Sequence, residues 1–291
     1  MKKSVIAIGT FDGVHKGHRL IINRVLSVAR ENNLKSIVIM LQNPIKKVTG
    51  LLTTYEEKFN EIKTFGVDEI FTIDAASHVL SCAPEEFFDC FLCKILKVSE
   101  IVCGPDFAFG KNREGDIKWI NKKVKETNVM IHIERPLVIG SKRISSSYIR
   151  MLIEKGDLKN ASKLLGRDYS FTGIPSKGFG VGRKLGFPTI NLSIDSDKLL
   201  PKGVYISLIS QNEKIYPSVT NVGFRITFNR GGEIVPETHV LNFNGIWKKL
   251  KTEVIVLRKI RDEKKFANVE ELKTQISRDV SIALRFFKFE I

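Results

Sequence analysis

The sequence predicts two domains of different class. Residues 1–166 read as a doubly wound parallel α/β sheet, and residues 167–291 as an antiparallel β-barrel or sandwich with a C-terminal helix. Three observations carry this. Short, continuous apolar runs alternate with amphipathic segments through the first half, as crossover units require. After Gly166-Arg167-Asp168, strand-like runs follow one another with only turn residues between them. The last stretch, 268–287, holds one long helical pattern.

Residues 4–8 (Ser-Val-Ile-Ala-Ile) form the first apolar run, of strand length. Residues 18–31 place Ile21, Val25, Val28 and Ala29 at helical spacing. Strands are predicted over 36–41, 69–73, 100–103 and 129–133, and helices over 56–65, 85–96, 115–126, 145–155 and 158–165. Strands apolar on both sides fit a sheet covered on both faces, with ligands bound beyond its carboxyl edge. In the second half, strands are expected over 169–174, 203–210, 214–222, 238–243 and 252–257. In the final helix Asn268 is the expected N-cap, with Glu271 completing a capping box. Its apolar stripe runs through Val269, Leu272, Ile276, Val280 and Leu284.

The formal net charge of +15 favours anionic ligands. Its lysines come in scattered pairs such as Lys46-Lys47 and Lys264-Lys265, which argues against a dedicated nucleic-acid stripe. No apolar run reaches the roughly 20 residues of a membrane span. The opening Met1-Lys2-Lys3 and its short apolar run read as a first strand rather than a signal peptide. Cys82, Cys90, Cys93 and Cys103 suggest no disulfide framework, so a reducing cytoplasm is expected. Cys90 and Cys93 form a CxxC with no second ligand pair. The helical reading of 84–96 puts both thiols on one packed face.

Two glycine-rich segments carry the chemistry. The first, Gly9-Thr10-Phe11-Asp12-Gly13-Val14-His15-Lys16-Gly17-His18, follows the first strand and opens a helix. Glycines let the backbone turn sharply and approach a ligand, and a helix N-terminus receives phosphate. His15 and His18 can donate hydrogen bonds to phosphoryl oxygens as charge builds. The pattern is neither a Walker loop nor a dinucleotide GxGxxG. A metal pair would want a third ligand, which the segment lacks.

This segment resembles the GxFDGxHxGH signature of bacterial FAD synthetase-type nucleotidyltransferases. Gly104-Pro105-Asp106-Phe107-Ala108-Phe109-Gly110-Lys111-Asn112-Arg113-Glu114-Gly115 is similar to that family's GxDFxFGxxRxG element, and Ile144-Ser145-Ser146-Ser147-Tyr148-Ile149-Arg150 to its ISSTxIR element. The resemblance implies that Gly9, Phe11, Asp12, Gly13, His15, Gly17, His18, Ser145, Ser146 and Arg150 hold the ATP phosphates. It implies that Gly104, Asp106 and Phe107 help place FMN. Where the family usually has a histidine after the second strand, this chain has Asn43.

The second segment, Gly182-Arg183-Lys184-Leu185-Gly186-Phe187-Pro188-Thr189-Ile190-Asn191, resembles the flavokinase GRxxGFPTAN element. Gly203-Val204-Tyr205, Asn221-Val222-Gly223, Glu237-Thr238-His239 and Arg261-Asp262-Glu263 follow in the family's order. The whole chain is thus similar to bifunctional riboflavin kinase/FAD synthetases. That implies a nucleotidyltransferase-like sheet followed by a flavokinase-like barrel. It also implies Mg2+, ATP as co-substrate, and riboflavin, FMN and FAD as substrates and products. Thr189 and Asn191 would serve Mg2+ and phosphate, Gly182 and Gly186 the ATP phosphates, Arg261 the ligand, and Glu237 as base on the ribityl hydroxyl. The partners implied are small molecules, with no dedicated nucleic acid and no membrane, for a monomer or weak homo-oligomer. The departures are Arg225-Ile226-Thr227-Phe228, Ile246-Trp247-Lys248 and Pro236 just before Glu237. They leave room for an alternative, an FMN adenylyltransferase whose barrel is no kinase.

Overall fold

The computed structural model describes residues 2–42, 50–74, 77–178, 180–225 and 233–290. Its contacts divide the chain into two units, 1–49 with 53–146, and 50–52 with 147–291.

The first unit runs β1 (Ser4–Gly9), α1 (Lys16–Glu31), β2 (Lys35–Leu41), α2 (Tyr55–Lys63), β3 (Glu69–Ile73), α3 (His78–Ser81), α4 (Pro84–Glu86) and a π-helix (Phe87–Ile95). It continues with β4 (Val98–Cys103), the hairpin β5 (Ala108–Phe109) and β6 (Gly115–Asp116), α5 (Ile117–Lys123), β7 (Met130–Ile133) and the hairpin β8 (Val138–Ile139) and β9 (Lys142–Arg143). Five strands form one sheet in the order β3-β2-β1-β4-β7, every pairing parallel. Successive side chains serve opposite faces. Ile6, Ile37, Ile39 and Ile101 pack with Phe87, Phe88, Leu92 and Ile120. Val5, Ala7, Val38 and Met40 pack with Ile22, Val25, Val28 and Ile62. This is why the strands read as unbroken apolar runs.

Two expectations for this unit fail. The helix predicted over 85–96 is a π-helix after its first turn, closed by an i→i+5 bond from Leu96 N to Phe91 O of 3.1 Å. Its wider turns separate residues three apart, so Cys90 is exposed while Cys93 is half-buried; the two thiols do not share a packed face. The helix predicted over 115–126 begins only at Ile117. Gly115 is drawn into a hairpin beneath the Phe109 ring, where a Cβ would meet ring carbons at 2.8 Å. Asp116 then caps the helix by accepting from Trp119 N at 2.8 Å.

The second unit holds α6 (Ser146–Glu154, all but its first residue), α7 (Leu158–Leu165), β10 (Tyr169–Ser176), α8 (Val181–Lys184), β11 (Ile190–Ile194), β12 (Gly203–Gln211), β13 (Lys214–Arg225), β14 (Glu233–Val240), β15 (Thr252–Arg261) and α9 (Val269–Glu290). The strands close into a barrel in the order β10-β11-β14-β13-β12-β15, which settles barrel against sandwich. Its ladders are antiparallel. Strand β11 lies where no strand is expected from the sequence, and the strand predicted over 238–243 runs instead from Glu233 to Val240. Pro236 is tolerated inside β14 because the β11 ladder stops at Asn191↔Glu237, leaving Pro236 paired on one side only.

Inside the barrel, Ser207, Ser218, Thr220 and Thr238 are fully buried and form a hydroxyl ladder across β12, β13 and β14. The contacts are Thr238 Oγ1 to Thr220 Oγ1 at 2.9 Å, Thr220 Oγ1 to Ser207 Oγ at 2.7 Å and Ser207 Oγ to Ser218 Oγ at 2.8 Å. Ser218 Oγ also donates to Ser207 O at 3.0 Å.

Asn268 caps α9 as expected, accepting from Glu271 N at 2.9 Å, while the Glu271 carboxylate takes Ala267 N rather than Asn268 N. The packed stripe is rotated from the predicted one. Val269 and Leu284 are exposed, and Val280, Ala283 and Phe287 cover Val204, Ile206 and Val219.

Candidate functional site

The turn after β1 is backbone-strained. Phe11, Gly13 and Val14 have φ of 48°, 81° and 40°, and a β-branched residue at positive φ is a genuine outlier. The strain folds the chain so that His15 caps α1, its Nδ1 accepting from His18 N at 3.3 Å. In the neutral ring the proton therefore sits on Nε2, which becomes a donor. The His15 and His18 rings stack at 3.7 Å, and Phe11 meets His18 edge-on. Gly17 leaves room for this stack, because a Cβ there would lie 3.1 Å from His15 Cε1 and press on its ring. His18 Nδ1 is buried without a hydrogen-bond partner among the described residues. Burial, reinforced by His15 and Lys58, holds the His18 pKa well below its ordinary value, so the ring is neutral at pH 7.

A second segment braces this turn. Thr53 N donates to Asp12 Oδ1 at 3.1 Å, and Gly13 N donates to Thr53 Oγ1 at 2.9 Å. Lys58 Nζ donates to Thr10 O at 2.9 Å and to Leu41 O at 2.7 Å. Ser146 Oγ, at the start of α6, donates to Asp12 O at 2.9 Å. The structure thus brings Gly9, Phe11, Asp12, Gly13, His15, Gly17, His18 and Ser146 together. Phe11 and Asp12 are buried and serve the turn's own architecture. Ser145 directly precedes α6, and Arg150 lies four residues beyond Ser146 on that helix. Asn43 lies outside the described residues.

The Gly104 to Phe107 turn closes with Phe107 N donating to Gly104 O at 3.2 Å. Phe107 packs partly into the core beside Phe109, while the exposed Asp106 is paired with Arg143 on β9.

In the barrel unit, Gly182 N-caps nothing but anchors a tight loop: Phe187 N donates to Gly182 O at 2.8 Å. A Cβ on Gly182 would overlap the Phe187 carbonyl and lie 3.1 Å from Thr189 Oγ1. His239 Nδ1 holds Pro188 O at 2.9 Å, fixing the same loop from β14. Asn191 and Glu237 are direct partners across β11 and β14, a pairing that sets their Cβ atoms about 5 Å apart on one face. Asn191 is buried, and its Oδ1 has no hydrogen-bond partner among the described residues. Arg261 is committed to Asp279, with Nη2 at 2.8 Å from a carboxylate that is almost fully buried. Gly186, at φ 88°, ends the loop's helical turn. Residues 226–228 of the Arg225-Ile226-Thr227-Phe228 departure lie outside the described residues.

Residues 1–148 match the family described as FAD synthetase, and residues 165–287 the family described as riboflavin kinase. The chain is 32% identical over 295 residues to the bifunctional riboflavin kinase/FMN adenylyltransferase of Bacillus subtilis strain 168, covering 98% of this chain and 93% of that one.

The chain belongs to the bifunctional riboflavin kinase/FMN adenylyltransferase family.

The Escherichia coli K12 member is also 32% identical, over 290 residues, covering 97% of this chain and 92% of its own. A crystal structure described as a macrolide-efflux protein from Streptococcus pneumoniae superposes with a TM-score of 0.86 at 28% identity, over 97% of this chain and 94% of the other. As a bifunctional flavin enzyme, the chain phosphorylates riboflavin to FMN with ATP and adenylylates FMN to FAD with release of pyrophosphate. Among the described residues, no helix is long and apolar enough to cross a membrane.

Sequence reasoning missed Thr53 and Lys58 altogether, and named His239 within a motif without giving it a role. One signal for Lys58 was present: it stands four residues before Ile62, on the buried face of α2.

Proposed function

We propose how the residues divide the two reactions. In the kinase unit, Glu237 accepts the proton of the terminal ribityl hydroxyl as that oxygen attacks the γ-phosphorus of ATP and the bond to the β,γ-bridging oxygen breaks, releasing ADP. The observation that carries this is the cross-strand pairing of Asn191 with Glu237, which sets a buried, orphaned amide oxygen beside a carboxylate. Asn191 Oδ1 and Thr189 Oγ1 are neutral oxygen donors of the kind Mg2+ takes alongside phosphate. Bound there, Mg2+ would neutralise charge on the transferring phosphoryl group. Gly182 and Gly186 let the loop lie close to the phosphates, and His239 keeps Pro188 and Thr189 in place. Arg261, held by Asp279, acts from the barrel rim on ligand.

In the FAD synthetase unit, the FMN phosphate attacks the α-phosphorus of ATP and pyrophosphate leaves, with no covalent enzyme intermediate. His15 and His18 donate as neutral imidazoles to phosphate oxygens. Gly9, Gly13 and Gly17 shape the turn, Phe11 and Asp12 brace it, and Ser145, Ser146 and Arg150 complete the clamp. Gly104, Asp106 and Phe107 place FMN, and Asn43 stands where the family's histidine assists. We place the functional boundary at 166/167, where Gly166 ends α7 at φ 80°. The free thiols fit a reducing cytoplasm, where we place the enzyme as a monomer or weak homo-oligomer.

The test is Glu237→Gln. FMN formation from riboflavin should fall about 10²- to 10⁴-fold, the range for loss of a general base, while FAD formation from supplied FMN is unchanged. Undiminished FMN formation would remove Glu237 from this role.

A further inference from the structure

Lys58 is a lysine in the core. It projects from α2 on the same face as Ile62 and is only 5% exposed. A buried ammonium is costly unless its protons are satisfied, and a Met or Leu would fill the same space without that cost. What Lys58 adds is reach to two carbonyls. Thr10 O and Leu41 O stand at the carboxyl ends of β1 and β2, the adjacent central strands of the parallel sheet. That edge is where such sheets bind ligands.

Thr10 opens the strained turn. Left-handed Phe11 and Val14 follow it within four residues. Strained φ values persist only where the surroundings over-determine them. Thr53, Ser146 and Lys58 each hydrogen-bond to the turn, and of these three Lys58 alone carries charge. The groups facing its ammonium are few. Asp12, from the turn, favours its charge; His18, from α1, stays neutral; β1 and β2 present carbonyls; and Glu57, on its own helix, is engaged with Thr54 N.

We propose that Lys58 is a positioning residue for adenylyl transfer: it holds the glycine turn in its ligand-receiving conformation through the Thr10 and Leu41 carbonyls and sets a fixed positive charge beneath the ATP phosphates. This rests on the assignment of that turn to ATP. Burial pushes the Lys58 pKa down to about 8, against the pull of Asp12, so the charge is present at neutral pH and lost in mild alkali.

The experiment uses the full chain with Mg2+, ATP and either flavin, comparing Lys58→Met and Lys58→Arg with the natural protein. Lys58→Met should lower kcat/KM for ATP in FAD formation about 100-fold, the scale of a displaced reacting geometry, with FMN formation unchanged. In the natural protein, FAD formation should fall above pH about 8. Lys58→Arg, always charged, should recover activity and lose that alkaline fall. A Lys58→Met enzyme as fast as the natural one would overturn the proposal. So would an alkaline fall near the same pH in Lys58→Arg, an outcome that decides the matter even if the methionine variant does not fold. His15→Asn and His18→Asn run in parallel. If they keep full FAD formation, the assignment of the turn has failed; if they lose it while Lys58→Met keeps it, Lys58 alone is refuted.

Discussion

Replacing Gly182 by alanine should disable one activity and leave the other untouched. Gly182 does not have a left-handed backbone, so alanine suffers no conformational penalty there, and the whole effect is steric. The new methyl would overlap the Phe187 carbonyl oxygen, which is backbone and cannot swing aside. An ordinary carbon-to-oxygen contact needs about 3.3 Å, so the loop must open by roughly 1 Å. That opening works against the 2.8 Å bond from Phe187 N to Gly182 O and carries Thr189 with it. A displacement of about 1 Å at a reacting centre costs on the order of 100-fold, or about 2.7 kcal/mol in the barrier. The assay is a chromatographic time course of FMN from riboflavin, with a parallel reaction from FMN to FAD. FMN formation by Gly182→Ala at the natural rate would refute the claim that this contact positions Thr189.

The adenylyl-transfer turn offers two further tests. Gly17→Ala puts a methyl 3.1 Å from His15 Cε1, so the imidazole must give by a few tenths of an ångström; FAD formation should drop about tenfold while FMN formation holds, as read in the same time course. His18 should make the protein acid-sensitive. Its folded pKa lies well below the unfolded value, so below about pH 6.5 the unfolded state binds more protons and stability falls with pH. Thermal melts of His18→Asn against the natural protein between pH 7 and 5 should show a shallower decline in the variant.

How legible the molecule was depends on which physical signal each part leaves in the sequence. Parallel strands buried on both faces write unbroken apolar runs, so Val5 to Ile8 and Ile37 to Met40 stood out. The glycine turns stood out because close approach admits so few residue types. Strand β11 did not, because Asn191 and its preceding Pro188 carry turn chemistry and tertiary pairing with β14 overrode it. The π-helix shares its apolar content with an α-helix, and only the bonding pattern separates them. Lys58 was hidden for a different reason. A lysine on a helix ordinarily reads as a solvated charge, and only the fold brings two carbonyls to it. The stripe of α9 was misplaced because Ala283, too small to register in a pattern, sits at its centre, and Asp279 is buried by pairing with Arg261.

The hydroxyl ladder in the barrel has a direction. Each hydroxyl owns one proton. Ser218 places its proton on the Ser207 carbonyl, so the proton between Ser218 and Ser207 must come from Ser207. Ser207 must then receive from Thr220, and Thr220 from Thr238. The four O–H bonds form a one-way sequence that starts beside Glu237 and ends at a backbone oxygen on β12. Reversing one member would leave two protons facing each other in a site with no water-exposed surface. The barrel therefore carries an ordered row of dipoles across three strands, and a slip of any one strand would break it.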